Sequence, residues 1–260
     1  MQFKFKIMSF NYINEITSPE NLAKFADLVK IAGGAVQDVS SAFKVSDRFL
    51  GTQPMELCVR AIMSDSNSVE IVKEKYIGLP YDLETMLAMP KHSLGWTYAK
   101  VMSTMGYDPQ FYPPAKPEMN DEEYVNFRVF KTHDIHHILT GFSLNNFGEL
   151  GVISVTVAQS RFPGFLFIDL LSLLISFFAS DKLVSETSLP EDQIKTLGYK
   201  FKLISQGLEM GESAKPLFPI KWEEYFEHPL DEVRKEVNII PVTTGAYSWY
   251  SDPKLQDAIA

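Results

Sequence analysis

His133, Asp134 and His137 can serve one site only if the segment carrying them is helical, and Glu149 can join them only if that helix stops and the chain turns back. At about 100° per residue, with His133 as zero, His137 falls near 40° and Asp134 near 100°, so the three side chains share a face. His136, near 300° on the same scale, sits beside His133 but is turned away from Asp134. On one unbroken helix Glu149 would lie about 18 Å beyond His137 and point elsewhere. Asn145, Asn146 and Gly148 are residue types that end helices or accept unusual backbone angles, so the stretch predicts a helix, a tight turn and a second helix.

The chain holds 5 histidines, and His133, His136 and His137 stand together, which sets the cluster apart from a His-rich background. Imidazole nitrogens with carboxylate oxygens suit zinc, iron or manganese, while a carboxylate-dominated set suits magnesium. A His-Asp pair by itself is more often a structural hydrogen bond than a ligand pair; the full spacing, with His137 and Glu149 included, carries the metal reading. A metal phosphohydrolase of the His-Asp type would need further His and Asp ligands on neighbouring helices. Outside the cluster only His92 and His228 remain, each beside turn-forming residues and read as structural or exposed, so that class is the weakest.

The pattern His133-Asp134-x-x-His137-x(11)-Glu149 resembles the signature of the coenzyme Q biosynthesis protein 4 family at all four defined positions. Ser93-Leu94-Gly95-Trp96-Thr97-Tyr98 is similar to its Leu-Gly-x-x-Tyr element, although Lys91 and His92 fit the usual lead-in loosely. Lys221-Trp222-Glu223-Glu224 with Pro229-Leu230-Asp231-Glu232-Val233-Arg234 resembles its closing Trp-Glu and Leu-x-x-Val-Arg pattern, so the resemblance spans about residues 18 to 240.

The resemblance implies a mostly helical protein acting late in ubiquinone-type quinone biosynthesis. His133, Asp134, His137 and Glu149 would be the ligands of a divalent metal ion (zinc, iron or magnesium) and the catalytic residues, while His136 inherits no role. Implied partners are a prenylated quinone precursor or prenyl lipid, other quinone biosynthesis enzymes, a membrane surface and a second copy of the chain as a homodimer. The implied chemistry is a metal-dependent oxidative decarboxylation that replaces the C1 carboxyl of the ring by hydroxyl. The alternative is a non-catalytic prenyl-lipid-binding scaffold that organises the other enzymes.

The residues outside the motif predict an all-α fold, a compact multi-helix single domain over 1–260 with 1–17 and 241–260 as peripheral terminal segments, and the resemblance implies in addition a long apolar pocket between helices. At 260 residues and 45% hydrophobic content the chain can bury a substantial core. A net charge of -9 argues against general nucleic-acid binding, which calls for a basic surface. The single cysteine, Cys58, excludes an internal disulfide, suits a reducing compartment and reads as an ordinary, partly packed thiol. Lys4 and Lys6 are followed by Asn11, Asn14 and Glu15 before any long apolar run, so no secretory or organelle leader is read and a cytoplasmic, membrane-peripheral location is expected.

Ser18-Pro19-Glu20 opens a helix that Gly33-Gly34 ends, with no phosphate-loop pattern around the glycines. Further helices are predicted near 36–48, 53–63, 67–75, 81–89 and 94–105, followed by an extended Pro109, Pro113, Pro114 and Pro117 connection. The most apolar segment, Phe162 to Phe178, is slightly short for a bilayer and is interrupted by Asp169. Asp169, Ser172, Ser176 and Ser180 align within about 80°, which predicts a nearly buried helix with one polar seam. The use of that helix is left between ordinary core, a pocket wall for an isoprenoid and a membrane-facing surface. Arg128 and Lys131, adjacent to the metal helix, are candidate anchors for an anionic head group and otherwise solvated surface charges.

Overall fold

A computed structural model of the chain describes residues 18–33, 41–179 and 197–260. The described residues form α-helices and short 3-10 turns with no β-strand, so the protein is all-α. They fall in two compact units, one within residues 1–48 and one from Phe49 to Ala260.

The first unit holds α1 (Pro19–Gly33) and α2 (Ser41–Asp47). Pro19 takes the first helical position, where its missing N–H is not needed, and the Ser18 hydroxyl accepts from the Asn21 amide at 3.3 Å. Gly33 is the last residue of α1, and Gly34 lies outside the described residues, as do 36–40 of the stretch expected to be helical up to residue 48.

The second unit contains α3 (Gln53–Ile62), α4 (Ser66–Glu74), α5 (Leu83–Leu87), α6 (Leu94–Met105), α7 (Asp121–Thr140), α8 (Asn146–Ser160), α9 (Pro163–Ala179), α10 (Leu197–Ser213), α11 (Leu230–Glu236) and α12 (Pro253–Ile259). The caps are written in the sequence. Asp65, Asp82 and Ser93 side chains accept from the amides of Ser68, Glu84 and Trp96. α6 ends on Gly106 in the left-handed region, and the Pro-bearing connection then runs without helix to Asn120. Asn120 and Glu123 form a reciprocal capping box that starts α7.

α7 carries many polar residues and still runs through the interior: from Tyr124 to Thr140 nearly every side chain is buried. Around it pack α3, α4, α6 and α8, while α10 lies along α8 through the buried Gly207 and Gly211.

The polar seam expected on α9 is present as far as the structure describes it. Asp169 accepts a hydrogen bond from the Ser154 hydroxyl of α8 at 3.0 Å, the Ser172 hydroxyl accepts from Lys200 Nζ at 3.0 Å, and Ser176 is buried; Ser180 lies outside the described residues. No helix among the described residues is long and apolar enough to cross a membrane. Residues 241–260, expected at the periphery, contribute buried Val242, Trp249 and Leu255 and end in α12.

Candidate metal centre

The positions of the ligand candidates depend on how α7 ends. Gly141, at φ +80°, takes the left-handed conformation that closes the helix, so the break comes before the Asn145-Asn146 pair. Asn145 instead begins α8: its side chain accepts from the amides of Phe147 and Gly148. Gly148 lies inside the first turn of α8, where a Cβ would come within 2.0 Å of the Ser143 carbonyl oxygen. Only glycine lets the returning helix approach the turn this closely, and that approach puts Glu149 back against α7.

The four last carbonyls of a helix have no partners within it, and here each is met from elsewhere. The His137 carbonyl accepts from the Gly141 amide at 3.0 Å and from Trp249 Nε1 at 2.9 Å. The Ile138 and Leu139 carbonyls accept from Arg234 Nη2 at 2.7 Å and Nε at 2.9 Å. The Thr140 carbonyl accepts from the Val242 amide at 2.7 Å. Arg234 is itself buried and donates through Nη1 to the Tyr250 hydroxyl, so the end of α7 is clamped by a cation placed where the helix dipole is negative.

Within that frame His133, His137 and Glu149 each bring one donor atom within 4.8 Å of the others. His133 Nε2 lies 2.9 Å from Glu149 Oε1 and His137 Nε2 lies 3.1 Å from Oε2, so the carboxylate bridges the two imidazoles. The far side of His137 is fixed: Nδ1 donates to the Phe142 carbonyl at 3.1 Å. A carbonyl can only accept, which places a proton on Nδ1 and turns the Nε2 lone pair toward the carboxylate. Two acceptors at 3.1 Å are held together only by a second proton on the ring or by a cation between them. Burial disfavours the His133 imidazolium, but the charge and hydrogen bond of Glu149 prevail and hold its pKa above the ordinary value. Burial alone would raise the Glu149 carboxyl; the two histidines hold it well below the usual carboxylate range. Phe165, near the start of α9, covers His133 at 5.2 Å between ring centroids, whereas the Glu149 side chain keeps 39% of its surface exposed. The centre is therefore walled on one side and open on the other.

Asp134 stands outside this three-residue set. Turned about 100° from His133, it is half-buried. Burial raises its carboxyl, with His133 and His137 opposing. Its charge adds to burial in pushing up Tyr98, whose hydroxyl is buried without a partner. His136 also stays outside: burial first, then the neighbouring histidines, push it down to about 3, so it is neutral.

Arg128 and Lys131 correct the reading of surface charges, for both are buried and committed to backbone carbonyls. Arg128 donates to the Phe218 carbonyl at 2.8 Å and the Ile220 carbonyl at 2.7 Å. Lys131 donates to the carbonyls of Ile77 and Leu79 and lies 3.6 Å from Glu223. Their long stems make both suited to an interior that needs its loop carbonyls met, a demand made by segments far away in sequence. Cys58 is a buried thiol pushed up to about 12 by burial, as an unreactive core cysteine should be. His92 and His228 are exposed and outside the cluster.

The sequence profile of the coenzyme Q (ubiquinone) biosynthesis protein Coq4 family matches residues 48–243. The chain belongs to this family. The mitochondrial ubiquinone biosynthesis protein COQ4 of Eremothecium gossypii is 27% identical over 189 residues, covering 71% of this chain and 54% of that protein. The mitochondrial COQ4 homolog of Anopheles gambiae is 28% identical over 163 residues, covering 61% and 51%. The chain thus spans about half the length of the curated relatives it matches. A crystal structure of a Nostoc punctiforme protein, described as a candidate ubiquinone biosynthesis protein, superposes with a TM-score of 0.67 at 22% identity, covering 83% of this chain and 95% of that one, which shows a shared fold.

The Coq4 segments recognised in the sequence all pack onto α7 or its supports. Gly95 and Leu94 donate their amides to the Phe226 and His228 carbonyls, joining the start of α6 to the stretch before α11, and Arg234 of the closing pattern clamps α7. The sequence held no local signal for Trp249 and Phe165, whose contributions are contacts across long separations, while Phe142 acts on His137 from only five residues away through its backbone carbonyl.

Proposed function

We propose that the chain is a metal-dependent protein of ubiquinone-type quinone biosynthesis, in which His133, His137 and Glu149 hold a divalent cation and the open side of the centre receives the ring of a prenylated precursor. The observation that carries this reading is the paired lone-pair geometry at His137: Nδ1 is committed to the Phe142 carbonyl, and Nε2 faces a carboxylate oxygen at 3.1 Å. Two imidazoles and one carboxylate with an open face form the donor set favoured by iron and zinc, with magnesium less suited. Asp134, outside the three-residue set, is in this proposal the group that takes up a proton from a ring hydroxyl.

A bound divalent ion would supply Lewis acidity at the ring carboxylate, and iron would add redox capacity. The chain's own residues orient the ring beside Glu149, keep water from the His133 side through Phe165, and hold the proton at Asp134. Replacing a ring carboxyl by hydroxyl releases carbon dioxide and takes up one oxygen atom of dioxygen; two electrons and two protons from an external donor convert the other atom to water. The prenyl tail is assigned to the exposed apolar surface of α9, where Leu166, Leu170, Ile175 and Phe177 are open. Attachment to a membrane surface, a homodimer and contacts with other enzymes of the pathway belong to the same proposal. The curated relatives are named as mitochondrial, a property of those proteins; for this chain a membrane-peripheral location is proposed.

The scaffold reading differs in one consequence. With purified full chain, a prenylated hydroxybenzoate and dioxygen with a reductant, carbon dioxide release should fall at least about 100-fold in His137→Ala while extraction still recovers bound prenyl lipid. Unchanged pathway flux in cells carrying His137→Ala, with lipid still bound, would support the scaffold and overturn the catalytic role.

A further inference from the structure

The chain from Val242 to Trp249 crosses the turn between α7 and α8, and from residue 244 on it lies beyond the stretch matched by the Coq4 profile. It pairs with the turn on both sides of Phe142: the Ser143 amide donates to the Tyr247 carbonyl at 2.7 Å, and the Trp249 amide donates to the Gly141 carbonyl at 3.1 Å. These two bonds make Phe142 and Ser248 the members of an antiparallel bridge. In this pattern the facing residues are the non-hydrogen-bonded pair, whose own N–H and C=O groups point away from the opposite chain. The Phe142 amide accordingly donates to the Thr140 hydroxyl at 3.4 Å, and its carbonyl is left to accept from His137 Nδ1 at 3.1 Å. A slip of one residue would turn that carbonyl toward the tail and take the acceptor away from the imidazole.

Trp249 pins the register. It is 1% exposed, and besides its amide bond to Gly141 its indole Nε1 donates to the His137 carbonyl at 2.9 Å. One residue thus holds the backbone of a ligand candidate and the turn that carries the acceptor for its ring. The indole stacks on Tyr250 at 3.8 Å between centroids, and the Tyr250 hydroxyl accepts from Arg234. Ser248 Oγ donates to the Val242 carbonyl at 2.7 Å, and the Val242 amide donates to the Thr140 carbonyl, which closes the tail over the turn. Gly141 admits this crossing, since a Cβ there would lie 2.2 Å from the Val242 carbonyl oxygen. The acceptor on the second nitrogen of a ligand imidazole fixes the ring, and its loss costs about 10–100-fold in metal affinity.

We infer that Trp249 is a positioning residue for the metal centre: through its indole and its amide it sets the register of the tail on the α7–α8 turn, and so keeps the Phe142 carbonyl on His137 Nδ1. The consequence for a bound cation rests on the proposed function, whereas the hold on the imidazole does not.

The test compares the purified wild-type chain with Trp249→Phe, which keeps an aromatic ring and removes the indole donor. Leu255→Ala, which truncates a buried side chain of α12 where that helix packs on α6, controls for loss of stability in the same tail. In metal-free protein labelled with nitrogen-15 at histidine, magnetic resonance reads the exchange of the His137 Nδ1 proton with water; zinc titrated against a chelator reads the Kd of the folded protein. Trp249→Phe should speed the exchange and weaken zinc, each at least about tenfold. Leu255→Ala should lower the melting temperature yet leave both readings within about twofold. Ser248→Ala, a milder change, should move both in the Trp249→Phe direction by about threefold, and decides the point if Trp249→Phe does not fold. Unchanged exchange in the folded variants, faster exchange with unchanged zinc affinity, or an equal effect of Leu255→Ala would each overturn the inference. A wild type that binds no zinc, with exchange still accelerated in Trp249→Phe, would overturn the proposed metal site and uphold the hold of Trp249 on His137.

Discussion

α7 and α9 make opposite bargains with water. α7 carries charged, amide and imidazole side chains, yet it is buried almost throughout, whereas α9, the most apolar segment of the chain, leaves Leu166, Leu170, Ile175 and Phe177 exposed. Burial here tracks partnership more than hydropathy. Arg128 and Lys131 sit inside because loop carbonyls meet their donors, and the α7 terminus sits inside because Arg234 and Trp249 meet its carbonyls. Among the described residues, α9 has a seam of polar partners at Asp169 and Ser172.

The contrast breaks most readily at the clamp. Arg234→Ala leaves the Ile138 and Leu139 carbonyls unmet at the buried end of α7, and should lower unfolding free energy by roughly 3 kcal/mol in urea titration. A loss under about 1 kcal/mol would mean that partnership is not what keeps α7 inside.

Asp169 tests the seam through pH. Burial first, with Glu149 adding and the Ser154 hydroxyl opposing, raises its carboxyl to about 7. The unfolded value is about 3.9. Between these values the folded chain holds a proton that the unfolded chain has released, so this group's contribution to stability is full below pH about 4, declines as pH rises to about 7, and stays level above. Asp169→Asn keeps an acceptor for Ser154 and removes the ionisation. It should stabilise the protein at pH 8 by about 2 kcal/mol and have little effect at pH 4, read as the difference between melting curves at the two pH values. Equal shifts at both would show that Asp169 titrates normally.

On the exposed side of α9 the smallest effect is expected. Leu170→Gln, at a position 55% exposed, should change stability by no more than about 0.5 kcal/mol, and it should weaken extraction of bound prenyl lipid if the tail lies on this face. A destabilisation of about 2 kcal/mol or more, comparable with that of a buried leucine, would show the side chain to be core.

The helical hairpin and its metal candidates are legible in the sequence because their causes are local. Helical period gives the shared face of His133 and His137, and the need for a return gives Glu149 its place, whereas the capping roles of Asn120 and Asn145 are seen only in the structure. The turn comes a few residues earlier than the asparagine pair suggests, since Gly141 carries the left-handed end of α7 and Asn145 caps α8. Face alone groups Asp134 with the histidines; an offset of about 100° from His133 is wide enough for its oxygens to miss the set. The burial of Arg128, Lys131 and Arg234 is not legible, because their partners are carbonyls at distances of tens of residues, and no periodicity encodes those.

The central claim is that the three side chains converging at the start of α8 hold a cation. The most direct measurement is metal analysis with native mass spectrometry of the purified chain, wild type beside His137→Ala and Glu149→Gln. Close to one equivalent of a divalent metal in the wild type, falling at least about tenfold in both variants, is the predicted result. A metal-free wild type after purification and reconstitution with iron or zinc, or metal retained in both variants, would make the His133, His137 and Glu149 contacts a protonated structural network.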